Sequence, residues 1–282
     1  MQIALISDTH LTAGAVPLDG NLVAARNFVD TNAIPVTVHL GDITADGAIE
    51  PAQLRHARRQ LAGWPGDLRC LPGNHDVGDN PGDHDHPPVT DDRLARYVDF
   101  LGDDHWVVAA ANWTLIGING QLCGSGTAAE QRQEVWLGTV TQACRGPVGV
   151  FVHKPLFRDG PADTSRHHRY LPIEARDRLL ARLARVDLRF VAAGHTHQAR
   201  RHSVGGVDHV WLPSLAFILP DAMQETIGEK IVAMSVLQLT PAAHRFELAV
   251  PAGLHQFTLL DLPGLYPAHA ERLRSPDTTD GA

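Results

Sequence analysis

Short apolar runs alternate along the chain with stretches of helical period, which favours an α/β architecture over all-α or all-β. The runs at residues 3–7, 36–40, 68–71, 113–118, 148–152, 188–193, 207–212, 231–239 and 246–250 predict strands. Several are rich in Val and Ile and stop at Gly, Pro, Asp or Asn, as strands that enter loops do. Between them, residues 50–62 place Leu54, Ala57 and Leu61 on one helical face with Arg and Gln opposite. Residues 128–145 offer Trp136, Val140 and Ala143 at similar spacing. Residues 173–186 carry Leu179, Leu180 and Leu183 against an arginine-rich face that reads as solvated. The stretches 77–89 and 157–172 predict loops, and the residues from 267 onward predict a flexible tail. With no internal repeat and no Pro- or Ser-rich linker, the pattern predicts one domain over residues 1–266.

Composition narrows the function classes. The chain has 282 residues, 44% hydrophobic and 20% charged, enough for a substantial core and too apolar for wholesale disorder. No uninterrupted apolar run approaches the roughly 18 residues of a spanning helix, so a membrane-embedded body is not expected. A formal net charge of −8 argues against a dedicated nucleic-acid binder, which clusters Lys and Arg against phosphates. Cys70, Cys123 and Cys144, an odd count without C-x-x-C spacing, read as thiols of a reducing compartment. The first residues run into Asp8 with no cationic start, as a first strand does and a signal peptide does not, so the cytoplasm is the expected location.

One number is out of proportion. The chain has 17 histidines, more than its 8 Phe, 3 Tyr and 5 Trp together, and histidine is the commonest metal ligand. Five strand-like runs are followed directly by ligand-type residues: Asp8-Thr9-His10, Gly41-Asp42, Gly73-Asn74-His75-Asp76, His153 and Gly194-His195-Thr196-His197. In extended chain, residues two apart face the same way, so Asp8 with His10, and His195 with His197, can grip one ion together. Any one of these clusters occurs by chance in many proteins. Five together, each at the end of an apolar run, predict metal binding, because buried polar groups of this kind need partners. Gly41, Gly73 and Gly194 are expected where the chain turns sharply beside the ions. Thr9 and Thr196, between paired ligands, are expected to point into the fold.

The ordered series resembles the calcineurin-like metallophosphoesterase superfamily and spans residues 8–197. That resemblance implies a four-layer αββα sandwich of two mixed β-sheets flanked by helices, with a dinuclear metal centre at the strand ends. Carried over position by position, Asp8, His10 and His197 would bind one metal, Asn74, His153 and His195 the other, and Asp42 would bridge them. Imidazole, carboxylate and amide donors suit manganese, iron or zinc better than calcium or magnesium. The site implies in-line attack on phosphorus by a hydroxide held between the metals. His75 resembles the family histidine that faces the substrate. It would contact phosphate and protonate the leaving oxygen, with Asp76 orienting its ring.

The expected substrate is a small phosphoester. Residues 113–137, with Gln131, Gln133 and Trp136-Leu137, resemble the layout of the superfamily's class III cyclic-nucleotide and glycerophosphodiester phosphodiesterases. The chain departs from them at Ile118-Asn119-Gly120, where an Asp is usual, and at His153-Lys154-Pro155, where His-His-Pro is common. Residues 71–81 are similar also to a branch that includes protein phosphatases, so a phosphomonoesterase is the alternative, and a non-catalytic metal-binding scaffold a more distant one. Two loops are placed to select substrate. Asp83, His84, Asp85 and His86 follow His75 and read as a solvated acidic loop, or else line the pocket or hold an ion. Arg166, His168 and Arg169 follow His153, and their cationic groups, with Lys154, could clamp a phosphate oxygen or lie on a surface loop. The apolar run 207–219, with Trp211, Leu212 and Phe217, fits core packing or, failing that, a homodimer seam.

Overall fold

The computed structural model describes residues 1–14, 17–82, 86–164 and 166–267. In chain order, β1 (Gln2–Ile6) leads through α1 (Asp19–Thr31) to β2 (Val36–His39), then α2 (Pro51–Leu61), β3 (Asp67–Cys70), the single turn α3 (Asn74–Val77) and α4 (Asp91–Leu101). The antiparallel pair β4 (Trp106–Ala110) and β5 (Trp113–Ile118) follows, then α5 (Ala128–Ala143), β6 (Pro147–Val152), α6 (Ile173–Leu183) and β7 (Asp187–Ala193). The chain continues through β8 (Arg200–Val204), β9 (Val207–Trp211), β10 (Phe217–Ile218), β11 (Met234–Leu239), β12 (His244–Ala249) and β13 (Phe257–Thr258).

Two mixed sheets result. The first has the order β12-β11-β1-β2-β3, with β1, β2 and β3 parallel and β11 antiparallel to β1. The second has the order β4-β5-β6-β7-β9-β8, parallel in the middle with antiparallel edge strands. Strand periodicity explains why both faces are apolar. On β1, Ile3 and Leu5 enter the layer between the sheets, beside Phe151, Phe190 and Val210, while Ala4 and Ile6 face the outer layer with Leu22, Leu54 and Tyr97. On β6, Phe151 points inward and Val148, Val150 and Val152 pack outward against Leu137, Leu179 and Leu183 of α5 and α6. Strands covered on both faces read as continuous apolar runs, which is why β1, β2, β6 and β7 were legible. The fold is the expected four-layer αββα arrangement.

Local signals fix the helix starts. Thr127 caps α5 by accepting from the Glu130 amide at 3.2 Å, and the Glu130 carboxylate reaches back to the amides of Gly124 and Gly126. The periodicity does not predict α1, α4, β4 or β8. Edge strand β8 carries Arg200, Arg201 and His202, and its burial alternates between half-buried and exposed. One face reading is corrected as well. Arg176 of α6 is buried, donating to the carbonyls of Pro161 and Asp163, and so ties down the 157–172 loop from beneath. Trp211, Leu212 and Phe217 are each about 2% exposed or less, so these three pack in the core. Among the described residues, no helix is long and apolar enough to cross a membrane.

Candidate metal centre

The parallel strands deliver their C-terminal ends to one edge of the sandwich, where loops carry the polar clusters. Asp8 follows β1, Asp42 follows β2, Asn74 opens α3 after β3, His153 follows β6 and His195 follows β7. Two groups of ligand atoms converge there: Asp8, His10 and His197 in one, Asp42, His153 and His195 in the other, each within 4.8 Å. Asn74 joins the second group, its Oδ1 3.2 Å from His153 Nε2.

Hydrogen bonding decides which imidazole nitrogens face the site. His153 Nδ1 lies 2.8 Å from the Leu40 carbonyl and His197 Nδ1 3.0 Å from the Phe217 carbonyl; a carbonyl only accepts, so each ring holds a proton on Nδ1. His10 Nδ1 sits 2.8 Å from the Tyr266 hydroxyl, whose own hydrogen goes to the Ala45 carbonyl at 3.0 Å. The Nε2 atoms are thereby aimed inward. His10 Nε2 and His197 Nε2 face each other at 3.1 Å, and His153 Nε2 is 3.2 Å from Asp42 Oδ2. His195 Nδ1 is buried without a hydrogen-bond partner. With Nδ1 engaged elsewhere, each Nε2 meets another nitrogen or a carboxylate oxygen across a gap that a proton or a metal cation fills, so the donor set fits a pair of metal ions.

Electrostatics agrees. Burial, reinforced by the charges of His75 and His197, holds His10 well below the usual imidazole range, and burial with the Lys154 ammonium does the same to His195. Burial also opposes charge on His153 and on Asp42. Their mutual attraction outweighs it, pushing His153 up to about 9 and Asp42 well below the carboxylate range.

The backbone carries a signature that spacing did not reveal. Asp8, His10, Asp42, His195 and His197 have φ of 54°, 46°, 51°, 67° and 52°, all in the left-handed region. Such residues cost on the order of 1–3 kcal/mol each and persist where surrounding structure imposes them, typically at functional sites. The candidate ligand residues themselves therefore make the sharp turns. Of the three glycines expected to turn, only Gly41 has positive φ, at 101°. Gly73 is extended, and its requirement is space: a Cβ there would strike the Asp42 carboxylate and the Asp42 amide nitrogen. A Gly73→Ala variant should lower thermal stability by roughly 1–3 kcal/mol and weaken metal uptake, read by differential scanning calorimetry and metal analysis.

A family model for calcineurin-like phosphoesterases matches residues 1–199. The chain belongs to that family. Solved structures of similar fold include a dimetal phosphatase from Danio rerio at 14% identity and a TM-score of 0.62, covering 88% of this chain and 95% of that one. They also include GAP50, the anchor in the inner membrane complex of Plasmodium, at 11% identity and 0.60 over 92% and 88%. A third is the purple acid phosphatase PPD1 of yellow lupin (Lupinus luteus), at 13% and 0.59 over 92% and 52%. No curated protein matches the chain. Phosphatases and an anchor protein share this fold, so chemistry must be argued from the site.

In this phosphoesterase the ring of His75 edges the metal-ligand cluster, with Nε2 4.0 Å from Asp42 Oδ2. The expected partnership with Asp76 is corrected. The Asp76 carboxylate accepts from the amides of Ile43, Thr44 and Gly73 and from the Thr44 hydroxyl, at 2.7–3.1 Å, and so braces the Asp42 loop. His75 is instead oriented by the Ala45 carbonyl, 2.6 Å from its Nδ1, and by Tyr266. The cause is local: consecutive residues of the α3 turn point to different sides, so Asp76 cannot face its neighbour's ring. Asp76 lies in the buried interior, where burial and the Asp42 charge push its pKa up to about 6. Thr9, as expected, is structural, hydrogen-bonded to the Ile43 carbonyl and to His39.

Above the cluster opens a cavity of about 690 Å³. Beyond the cluster its lining includes the apolar Phe217, Leu219, Met223 and Leu259, the cationic-type His86, His168 and Arg169, and the acidic Asp46. Arg166 is not there. It is exposed and paired with Glu174 on the surface. Lys154 is also excluded: it is buried and ion-paired with Asp79 beneath the site, so it does not reach substrate. Asp83, His84 and Asp85 lie outside the described residues. The sequence reads Phe217 only as core or seam and gives no sign of Met223 or Tyr266, whose segments lack ligand-type motifs. For kinetics, Arg169→Ala should raise KM several-fold with kcat nearly unchanged, while Arg166→Ala should leave both as in the wild type.

Proposed function

We propose that this chain hydrolyses phosphodiesters of small molecules, cyclic-nucleotide or glycerophosphodiester-like, at a dinuclear centre of manganese, iron or zinc. Asp8, His10 and His197 would hold one ion, Asn74, His153 and His195 the other, with Asp42 shared between them. Bound ions would supply Lewis acidity and an activated water. Around them, His75 presents Nε2 to the cavity as the proton donor to the leaving oxygen, since its Nδ1 is engaged by Ala45. Arg169 and His168 meet the anionic substrate at the rim, and the Phe217 wall shields the reacting group from bulk water. Free thiols at Cys70, Cys123 and Cys144 accord with the reducing cytoplasm as the place of reaction.

The observation that carries the diester reading is the cavity itself. Its volume and its mixed lining, apolar side chains together with imidazole and guanidinium groups, suit two ester substituents on one phosphorus. The cationic rim also suits the extra negative charge of a monoester, which keeps that reading as the alternative. Turnover of bis-p-nitrophenyl phosphate, p-nitrophenyl phosphate, cyclic AMP and glycerophosphodiesters, each with manganese, iron, zinc or cobalt, separates them. Higher kcat/KM on the diesters is expected; the reverse order assigns a monoesterase, and no hydrolysis with any metal returns the chain to a scaffold role.

A further inference from the structure

We propose that Tyr266 is a positioning residue that links one metal ligand to the proton donor through a single hydroxyl, an inference that rests on the roles given above to His10 and His75. The residue lies outside the segment that carries the family match, residues 1–199. Its segment reaches the site because β13 pairs in parallel with β10 and because Leu259, Leu262 and Leu265 pack with Leu18, Ala45 and Phe217. The phenol is thus delivered by a packed wall.

One assignment of donors and acceptors satisfies the Tyr266 contacts together. The Ala45 carbonyl has two lone pairs, and two donors reach it: His75 Nδ1 at 2.6 Å and the Tyr266 hydroxyl at 3.0 Å. With its hydrogen given to Ala45, the hydroxyl oxygen accepts from His10 Nδ1 at 2.8 Å and lies 3.2 Å from His75 Nδ1. Both rings are therefore held with the proton on Nδ1 and with Nε2 turned to the centre. For His10 that assignment turns the Nε2 lone pair toward His197 Nε2, 3.1 Å away. For His75 it makes Nε2 the atom that exchanges a proton with the leaving group. The tyrosine ring packs edge-on to His10, with centroids 5.9 Å apart, and is tilted against His75 at 5.5 Å, so its plane also limits how either imidazole can rotate. Partners of this kind, one bond removed from a metal, typically set metal affinity by 10–100-fold.

The test is Tyr266→Phe, which keeps the ring and its apolar contacts and removes only the oxygen. Calorimetric titration of the metal-free protein with Zn²⁺ should show one of two sites weakened about 10–100-fold and the other unchanged. With the protein saturated in metal, kcat on a diester with an alkoxide leaving group should fall about tenfold, with little change on bis-p-nitrophenyl phosphate and little change in KM. In a His75→Ala background the same substitution should cost no further kcat on the alkyl ester. Wild-type affinity at both sites together with an unchanged leaving-group dependence overturns the inference. So does a uniform loss at both sites accompanied by a lowered Tm, since that reports packing alone. The titration is read without turnover: a wild-type protein that binds two ions and hydrolyses nothing refutes the proposed function, and the affinity change then decides the case for Tyr266.

Discussion

Asp42→Asn is expected to reduce turnover on any phosphoester by on the order of 10³-fold and to lower the bound metal below two ions per chain. The carboxylate belongs to the group with His153 and His195, with Oδ2 3.2 Å from His153 Nε2 and Oδ1 accepting from the His75 amide at 3.0 Å, and the proposed centre shares it between both ions. An amide keeps the shape but has one acceptor atom and no charge, so it cannot be shared between two cations. The metal-free protein should report the same change through its stability. In the folded chain Asp42 raises His153 to about 9, above the ordinary imidazole value of about 6.5. A raised pKa stabilises the fold fully below the unfolded value and loses that contribution as pH rises through the folded one. Metal-free Asp42→Asn should therefore unfold more easily than metal-free wild type at pH 6, and the gap should close as pH passes about 9. Chemical denaturation of both proteins in chelator across that range checks the sign. Equal metal content and turnover in the variant would remove Asp42 from the centre.

What could be read in advance follows from how local each determinant is. Strands buried on both faces betray themselves, and the motifs at their ends sit within a few residues of an apolar run, so the candidate ligand series from Asp8 to His197 is visible in the sequence. Edge strands such as β8 alternate polar residues with little burial and leave no comparable trace. Helix α1 hides for another reason: Asn21 on its buried face donates to the carbonyls of Leu215 and His255, a polar residue in an apolar register. Asp76 shows the limit of adjacency in sequence. It follows His75 directly, yet its carboxylate is bound to a loop 32 and 33 residues away. Tyr266 is more remote still, 256 residues from His10 and 191 from His75, and no short motif can announce a contact of that range. The left-handed ligands belong to the same class, because spacing on an extended chain gives two residues one face but says nothing of the turn each then makes.

His75→Ala carries the second large expectation: both metals retained, and kcat on alkyl phosphodiesters reduced by about 10²-fold or more. Retention follows from placement, since His75 belongs to neither group of converging ligand atoms and its Nε2 stands 4.0 Å from the nearest Asp42 oxygen. The loss depends on what departs. An alkoxide is a strong base and needs a proton as the P–O bond breaks, whereas p-nitrophenolate is stable enough to leave unaided. The variant should thus lose much less on bis-p-nitrophenyl phosphate, and its rates across a series of esters should fall more steeply with leaving-group pKa than those of the wild type. A residue that merely supported the metals would instead lower every rate in the series by one factor and reduce metal content alongside. If His75→Ala holds two ions and cleaves the poorest leaving group at near wild-type speed, the proton comes from elsewhere and the assignment of His75 fails.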